Sequence, residues 1–254
     1  MTDRTELPRP VLLNPFSHYA FFFDIDGTLT DLRSRPEKVS ISPDVFNIFE
    51  YLNKRGIPFA LVSGRSVNDI DSLMCSRKLI CAGIHGAQIR YGNGRYEQVE
   101  ISGLDVACVW ERLKLACGRF SGLRLENKLI SFAIHFREAP ELAGEAMWIA
   151  ASLSELYPDS FAVQMGKNVC ELRPNRVNKG LAVEKIMATP PFCGKTPVYI
   201  GDDITDEAAF RTVNEMDGCT VKVGNEETTA MYRLKNVKGV LNWMNELIFW
   251  DSEA

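Results

Sequence analysis

The chain has 254 residues, 46% of them hydrophobic and 24% charged, and a formal net charge of -4 at pH 7. This length can bury a substantial core in one large domain or two modest ones. The slight negative charge, without any long block of like charges, argues against a nucleic-acid partner. No stretch approaches the roughly 20 apolar residues of a membrane span.

The N-terminal segment carries charges and prolines where a signal peptide needs an apolar centre. Seven cysteines are scattered along the chain without CxxC spacing, which favours neither a disulfide framework nor a zinc site. We therefore expect a cytoplasmic, monomeric protein with no membrane partner, and residues 1–16 as a disordered tail.

The first predicted strand is Tyr19–Phe23, an apolar run of the kind that is buried on both faces in a parallel sheet. It ends at Asp24, and Asp26 and Gly27 follow. A carboxylate at the end of a buried strand is costly unless a cation or hydrogen-bond donors meet it. The pair could act as nucleophile and general acid/base beside a metal, although a lone DxDG is equally typical of a plain turn.

A second buried strand, residues 57–62, ends in Ser63-Gly64-Arg65. A serine in this position is often only a helix cap, but together with the DIDGT segment the turn has the donors that a phosphate requires. Lys179 begins a predicted helix, where its charge opposes the helix dipole unless an anion lies nearby.

Another buried strand, residues 196–200, is followed by Asp202 and Asp203. Two adjacent carboxylates at a strand end repel each other unless a cation neutralises them. Asp206 has an ordinary capping explanation, and the lone His85 is more typical of a structural hydrogen-bonding residue. The sequence therefore predicts a metal site that combines Asp202 with the first strand end.

The order of the predicted elements changes between residues 103 and 174. Helices and paired strands there form an α+β block inside an α/β chain. We predict an α/β fold with a Rossmann-like parallel-sheet core, residues 17–102 and 175–254, and an inserted α+β cap domain, residues 103–174.

Polar residues alternate with large apolar ones around residues 130–137, which places His135 and Arg137 on one face of a predicted strand. Glu126, Lys128 and Glu171 fall on neighbouring strands or turns. Each alone is typical of a solvated surface charge. Together they could hydrogen-bond the hydroxyls of a sugar.

Four segments carry these features in order: DIDGT, VSGR, NKG and GDDITD. They resemble the four motifs of the haloacid-dehalogenase-like phosphatases, including the place of an inserted cap. The segments GDDITDE, IHGAQIR, ENK and CELRP further resemble the bacterial trehalose-6-phosphate phosphatases within that superfamily.

The resemblance implies an Mg²⁺-dependent hydrolysis of trehalose 6-phosphate in trehalose biosynthesis. Asp24 would form an aspartyl-phosphate, and Asp26 would act as general acid and base. Mg²⁺ would be held by Asp24, by Asp202 and by the main-chain carbonyl of Asp26, while Ser63 and Lys179 would bind phosphate oxygens.

By the same resemblance, the cap would grip the sugar through Glu126, Lys128 and Glu171, with His135 and Arg137 as further candidates, and would close over the substrate. Two alternatives remain open. One is another capped sugar-phosphate phosphatase, of the sucrose-phosphate or mannosyl-glycerate-phosphate type. The other is a non-catalytic sugar-phosphate sensor.

Overall fold

The computed structural model describes residues 7–12, 15–32 and 39–252. These residues form twelve strands and seven α-helices. In chain order they are β1 (Tyr19–Phe23), α1 (Pro43–Lys54), β2 (Phe59–Val62), α2 (Val67–Leu73), β3 (Cys81–Gly83), β4 (Gln88–Arg90), β5 (Tyr96–Gln98), α3 (Gly103–Cys117), β6 (Arg124–Asn127), β7 (Phe132–His135), α4 (Ala143–Leu156), β8 (Phe161–Gly166), β9 (Val169–Pro174), α5 (Lys179–Met187), β10 (Thr196–Gly201), α6 (Glu207–Glu215), β11 (Cys219–Val223), β12 (Tyr232–Leu234) and α7 (Val237–Ser252).

The chain divides into two compact units, one ending at Tyr96 and resuming at Asn178, and the other spanning Glu97–Val177. The inserted unit is therefore longer at both ends than the expected 103–174. None of the helices in the described part of the chain has the length and apolar character needed to cross a membrane.

The first unit is built on an eight-stranded sheet in the order β12-β11-β10-β1-β2-β3-β4-β5. The strands from β12 to β3 pair in parallel, and β4 joins β3 antiparallel. Alternate residues of β1 enter different cores: Phe21 and Phe23 pack with α1 and α7, whereas Ala20 and Phe22 pack with α5 and α6. This two-sided burial explains why β1 is a continuous apolar run.

The second unit is a four-stranded antiparallel sheet in the order β6-β7-β9-β8. One face of this sheet packs on α3 and α4 through Phe132, Ile134 and Leu172, among other apolar side chains. The predicted α/β fold with a mostly parallel sheet and an additional α+β block is confirmed.

Part of the expected disordered tail packs against the first unit. The Pro8 carbonyl accepts a hydrogen bond from the Arg233 main chain at 3.0 Å, and the Pro10 carbonyl accepts one from Trp243 Nε1 at 3.1 Å. Phe16 is buried in the core. The segment therefore gains hydrogen bonds and apolar contacts that its polar sequence did not suggest, while residues 1–6 and 13–14 lie outside the described residues.

Candidate active site

The candidate site of the first unit lies where parallel strands end. Strands β10, β1 and β2 are neighbours and run in the same direction, so the residues that follow them gather at one edge of the sheet. Asp24 follows β1, Ser63 follows β2, and Asp202 follows β10. The loops at this edge of an open α/β sheet are where such folds bind ligands.

Asp24 is almost completely buried, with 4% of its surface exposed. Its main-chain N–H donates to the Ile200 carbonyl at 2.9 Å, which extends the pairing of β1 with β10 by one residue. Its carboxylate oxygen Oδ1 accepts a 2.8 Å hydrogen bond from Lys179 Nζ. The carboxylate predicted as the nucleophile thus lies in direct contact with the predicted phosphate-binding lysine.

Lys179 begins α5, and Asn178 caps this helix by accepting a hydrogen bond from the Leu181 main chain. Its ammonium group also donates to Asp206 Oδ1 at 2.7 Å. The sequence predicted an anion near Lys179. In the structure, the carboxylates of Asp24 and Asp206 fill this role.

Asp206 is fully buried, and its carboxylate accepts three hydrogen bonds. Oδ1 accepts from Lys179 and from the Tyr199 hydroxyl, at 2.7 Å each, and Oδ2 accepts from the Asp203 main chain at 2.9 Å. Asp206 therefore fixes the position of Lys179. The ordinary capping role suggested by the sequence is also real, since Asp203 and Asp206 form a capping box.

A cluster of three carboxylates, from Asp24, Asp202 and Asp206, could hold a metal ion, since one oxygen of each lies within 4.8 Å of the others. Because Asp206 is engaged with its donors, Asp24 and Asp202 are the better ligands. Asp202 Oδ1 is buried without a hydrogen-bond partner among the described residues. A buried, unsatisfied carboxylate oxygen beside a second carboxylate suits a hard divalent cation such as Mg²⁺.

Gly27 allows Asp202 to approach this closely. Its φ is +90°, and a Cβ atom built there would lie 2.1 Å from Asp202 Oδ2. No side chain fits in that space. The glycine of the DIDGT segment thus serves both the turn and the packing of a candidate metal ligand.

The electrostatics of this cluster are dominated by burial. Burial raises the pKa of Asp24 well above its ordinary value, with Lys179 opposing the shift and Asp206 adding to it. Burial, followed by the charges of Asp206 and Asp203, raises the pKa of Asp202 to about 7. Burial alone would lower the pKa of Lys179, but Asp206 and Asp24 outweigh it and the net pKa is raised. A bound cation would favour the ionised carboxylates, which is the behaviour expected of a metal site.

Asp26 is held by a residue that the sequence reasoning did not assign. Arg65 Nε and Nη2 donate to the two carboxylate oxygens of Asp26, each at 2.6 Å. Arg65 belongs to the Ser63-Gly64-Arg65 turn that follows β2. Because β2 pairs with β1, this turn lies near Asp26, and that neighbourhood was the available signal for the contact. The bidentate geometry fixes the orientation of the Asp26 carboxylate.

Ser63 is buried, and its hydroxyl oxygen accepts a 3.2 Å hydrogen bond from the Arg65 main chain. His85 donates its main-chain N–H to the Ser63 carbonyl at 3.0 Å and has a φ of +54°. The ring of His85 lies so near Gly64 that a Cβ atom there would be 2.8 Å from it. His85 therefore shapes the turn that presents Ser63.

Lys222 is a second residue that the sequence reasoning missed. It lies on β11, is 2% exposed, and its ammonium group donates to the main-chain carbonyl of Asp202. A lysine inside the otherwise apolar or neutral strand Cys219–Val223 was the available signal.

The inserted unit carries the other predicted site residues, and three of them, Glu126, His135 and Glu171, lie on the sheet face opposite its core. Strand register places Glu126 opposite Ala133, Ala133 opposite Glu171, and Glu171 opposite Gln164. Residues opposite one another share a sheet face, so these four form one row across all four strands. The small side chain of Ala133 stands between the two glutamates.

One ion pair and one histidine–carboxylate hydrogen bond organise this row. Lys128 Nζ contacts Glu171 Oε1, with side-chain exposures of 12% and 7%. His135 Nε2 lies 2.7 Å from Glu126 Oε2. Burial alone would raise the pKa of Glu126, but the hydrogen bond with His135 and the charge of Lys128 outweigh it and lower the pKa.

Arg137 does not share the strand position predicted for it. Strand β7 ends at His135, and Arg137 lies in the following turn. The alternation on which its prediction rested therefore stops before it. Its place in a sugar site remains a prediction.

Comparison with known proteins identifies the family of the chain. The trehalose-phosphatase family model matches residues 22–238. The chain is 35% identical over 227 residues to the trehalose-6-phosphate phosphatase of Escherichia coli strain K12, covering 89% of this chain and 85% of that protein.

Two solved structures share the fold. The C-terminal domain of trehalose-6-phosphate phosphatase from C. albicans matches with a TM-score of 0.80 and 23% identity, over 92% of each chain. A haloacid dehalogenase-like hydrolase from Bacteroides thetaiotaomicron matches with a TM-score of 0.67 and 16% identity, over 91% of this chain and 99% of the other. With the family model and the E. coli relative, these findings show that the chain belongs to the trehalose-phosphatase family and is a phosphoric monoester hydrolase with a haloacid-dehalogenase-like fold.

Proposed function

We propose that this phosphatase hydrolyses trehalose 6-phosphate to trehalose and phosphate, in trehalose biosynthesis, in an Mg²⁺-dependent reaction. The observation that carries the chemistry is the buried contact between Asp24 and Lys179 beside Asp202. The trehalose-6-phosphate phosphatase of E. coli, at 35% identity over most of both chains, supports the substrate.

In the proposed reaction the Asp24 carboxylate attacks phosphorus, forming a phosphorus–oxygen bond to Asp24 as the bond to the sugar oxygen breaks. Asp26 gives its proton to the departing sugar oxygen. It then takes a proton from the water that attacks the aspartyl-phosphate, which releases phosphate and restores both aspartates. The bidentate contact with Arg65 would orient the ionised Asp26 carboxylate, the form that takes the proton from water in the second step.

Phosphate binding is assigned to Lys179 and Ser63. An ammonium group has three N–H donors, and in the described structure Lys179 uses two of them on Asp24 and Asp206. The third can bind a phosphate oxygen. The Ser63 oxygen accepts from Arg65, which leaves the hydroxyl proton to be donated to phosphate.

Mg²⁺ would be held by the carboxylates of Asp24 and Asp202 and by the main-chain carbonyl of Asp26. When bound, it would neutralise phosphate charge and so reduce the repulsion between the substrate and the anionic nucleophile. The oxygen donors and the unsatisfied Asp202 Oδ1 support this assignment.

The sugar is assigned to the inserted unit. We propose that Glu126, Lys128 and Glu171 bind the hydroxyls of the second glucose, with His135 and Arg137 as further contacts. The supporting observation is that Lys128 lies against Glu171 and His135 against Glu126, which gathers donors and acceptors for sugar hydroxyls in one part of the inserted unit.

The substrate assignment is tested by phosphate release from trehalose 6-phosphate, sucrose 6-phosphate, glucose 6-phosphate and mannosyl-glycerate phosphate, each with and without Mg²⁺. We expect the highest kcat/KM for trehalose 6-phosphate and a loss of turnover on chelation that added Mg²⁺ restores. Equal or faster turnover of another sugar phosphate would reject the trehalose assignment while leaving the phosphatase chemistry intact.

A further inference from the structure

Lys222 lies beside the candidate metal site, yet the proposed reaction gives it no role. It occupies the fourth position of β11, where strand register sets it opposite Gly201 of β10. Asp202 follows Gly201 directly. The ammonium group of Lys222 reaches the main-chain carbonyl of Asp202.

Burying an ammonium group costs hydration free energy, which other interactions must offset. Lys222 is 2% exposed, and within the described part of the chain its hydrogen-bond partner is a carbonyl rather than a carboxylate. One carbonyl does not offset the loss of hydration of a full positive charge. The carboxylate of Asp202 supplies the compensating negative charge: burial is the main cause that raises its pKa, and the positive charge of Lys222 opposes that rise.

Asp202 is consequently constrained at two points. Lys222 fixes its main-chain carbonyl, and Gly27 leaves just enough room for its side chain. Between these constraints, Asp202 Oδ1 is buried and unsatisfied. A ligand atom is most effective when its position is set before the metal arrives.

We propose that Lys222 is a positioning residue for Asp202: by holding the Asp202 carbonyl, it keeps this carboxylate in place to bind the divalent cation. The inference rests on the metal site of the proposed function. It deepens that function by adding a residue outside the four motifs.

Removing Lys222 would have two opposite effects on the Kd for the divalent cation. Loss of a positive charge beside the carboxylates would by itself tighten cation binding. Loss of positioning would weaken it, by about tenfold or more as for other residues that orient metal ligands. The direction of the change in Kd therefore separates the two roles.

The experiment measures Mn²⁺ binding to the full-length protein without substrate, by electron paramagnetic resonance of the free ion. Lys222→Met removes the charge and the donor at similar side-chain length, and Lys222→Arg retains both. The matched control is Lys238→Met, the same substitution at an exposed position. We expect the Kd to rise about tenfold or more in Lys222→Met, and to stay within about threefold of wild type in the other two.

An unchanged or tighter Kd in Lys222→Met would overturn the proposal, as would equal weakening in Lys222→Arg, which would point to packing. Circular dichroism and thermal unfolding accompany each variant. If Lys222→Met does not fold while Lys222→Arg binds like wild type, Lys222 is a structural lysine and the proposal fails. If wild-type protein binds no Mn²⁺, the metal part of the proposed function fails instead.

Discussion

Lys179 Nζ donates a 2.8 Å hydrogen bond to Asp24 Oδ1 although the two residues are 155 positions apart in the chain, and both side chains are buried. A buried ion pair of this kind is costly to assemble and more costly to break. Its presence at the end of the central strand β1 ties the stability of the first unit to the chemistry of the candidate site.

Replacing Lys179 with methionine should destabilise the protein. The substitution leaves the carboxylates of Asp24 and Asp206 buried without their shared cation, so we expect a loss of about 3–5 kcal/mol in the free energy of unfolding. Urea unfolding measures it. Lys54→Met, at a side chain that is 79% exposed, should change the free energy by less than about 0.5 kcal/mol. Equal effects of the two substitutions would contradict the role assigned to the buried pair.

Asp24→Asn should abolish turnover and leave the fold intact. The amide keeps the shape of the side chain but cannot act as the nucleophile, so we expect kcat to fall by at least about three orders of magnitude. Phosphate release from trehalose 6-phosphate measures the loss, and circular dichroism checks the fold. Persistent Mg²⁺-dependent turnover in the folded variant would show that another residue is the nucleophile.

Arg65→Lys should lower kcat because lysine keeps the charge but loses the two-pronged contact with Asp26. General acid–base catalysis contributes about 10²–10⁴-fold, and we expect part of it, about tenfold or more, to be lost. Steady-state kinetics should show the change in kcat rather than in KM.

Arg90→Lys is the matched control for this prediction. Arg90 makes a similar bidentate contact with Asp71, at 2.8 and 2.5 Å, and neither residue belongs to the proposed site. Its kcat should stay near that of wild type. A loss of the same size in both variants would indicate that folding, and not Asp26, is affected.

Lys128→Met should impair sugar recognition without impairing phosphate chemistry. It removes the cation that contacts Glu171 in the inserted unit. We expect KM for trehalose 6-phosphate to rise about tenfold or more, and hydrolysis of p-nitrophenyl phosphate, which has no sugar, to stay within about threefold. Lys167→Met, an exposed position in the same unit, is the control. A parallel loss on both substrates would refute the assignment of these charges to the sugar.

Glu126 should make the free energy of unfolding depend on pH under acidic conditions. Its folded-state pKa is lowered, with the His135 hydrogen bond and the Lys128 charge outweighing burial. The stabilisation is therefore fully present above the unfolded-state pKa of about 4.3 and is lost as the pH falls through the lower, folded-state value. Denaturant unfolding of wild type and Glu126→Gln should give a difference in free energy near pH 6 that shrinks below pH 4. A constant difference would show that the hydrogen bond does not depend on ionisation.

The sequence by itself determined the fold class, and it predicted the carboxylates of the candidate site. Buried parallel strands can be recognised as apolar runs. A carboxylate after one such run is also typical of a turn, but Asp24 and Asp202 after two of them together favour a ligand or a reaction. Both signals are local. They can be recognised in short segments of the sequence, without knowing which strands become neighbours.

Only the tertiary structure decided the partners of these groups. The contacts of Arg65 with Asp26, of Asp206 with Lys179 and Tyr199, and of Lys222 with the Asp202 carbonyl depend on strand order and helix packing. The end of β7 before Arg137 is likewise a matter of pairing with β6 and β9. A hydrogen bond between distant residues requires the whole sheet to be assembled, so neither spacing nor composition along the chain can specify it.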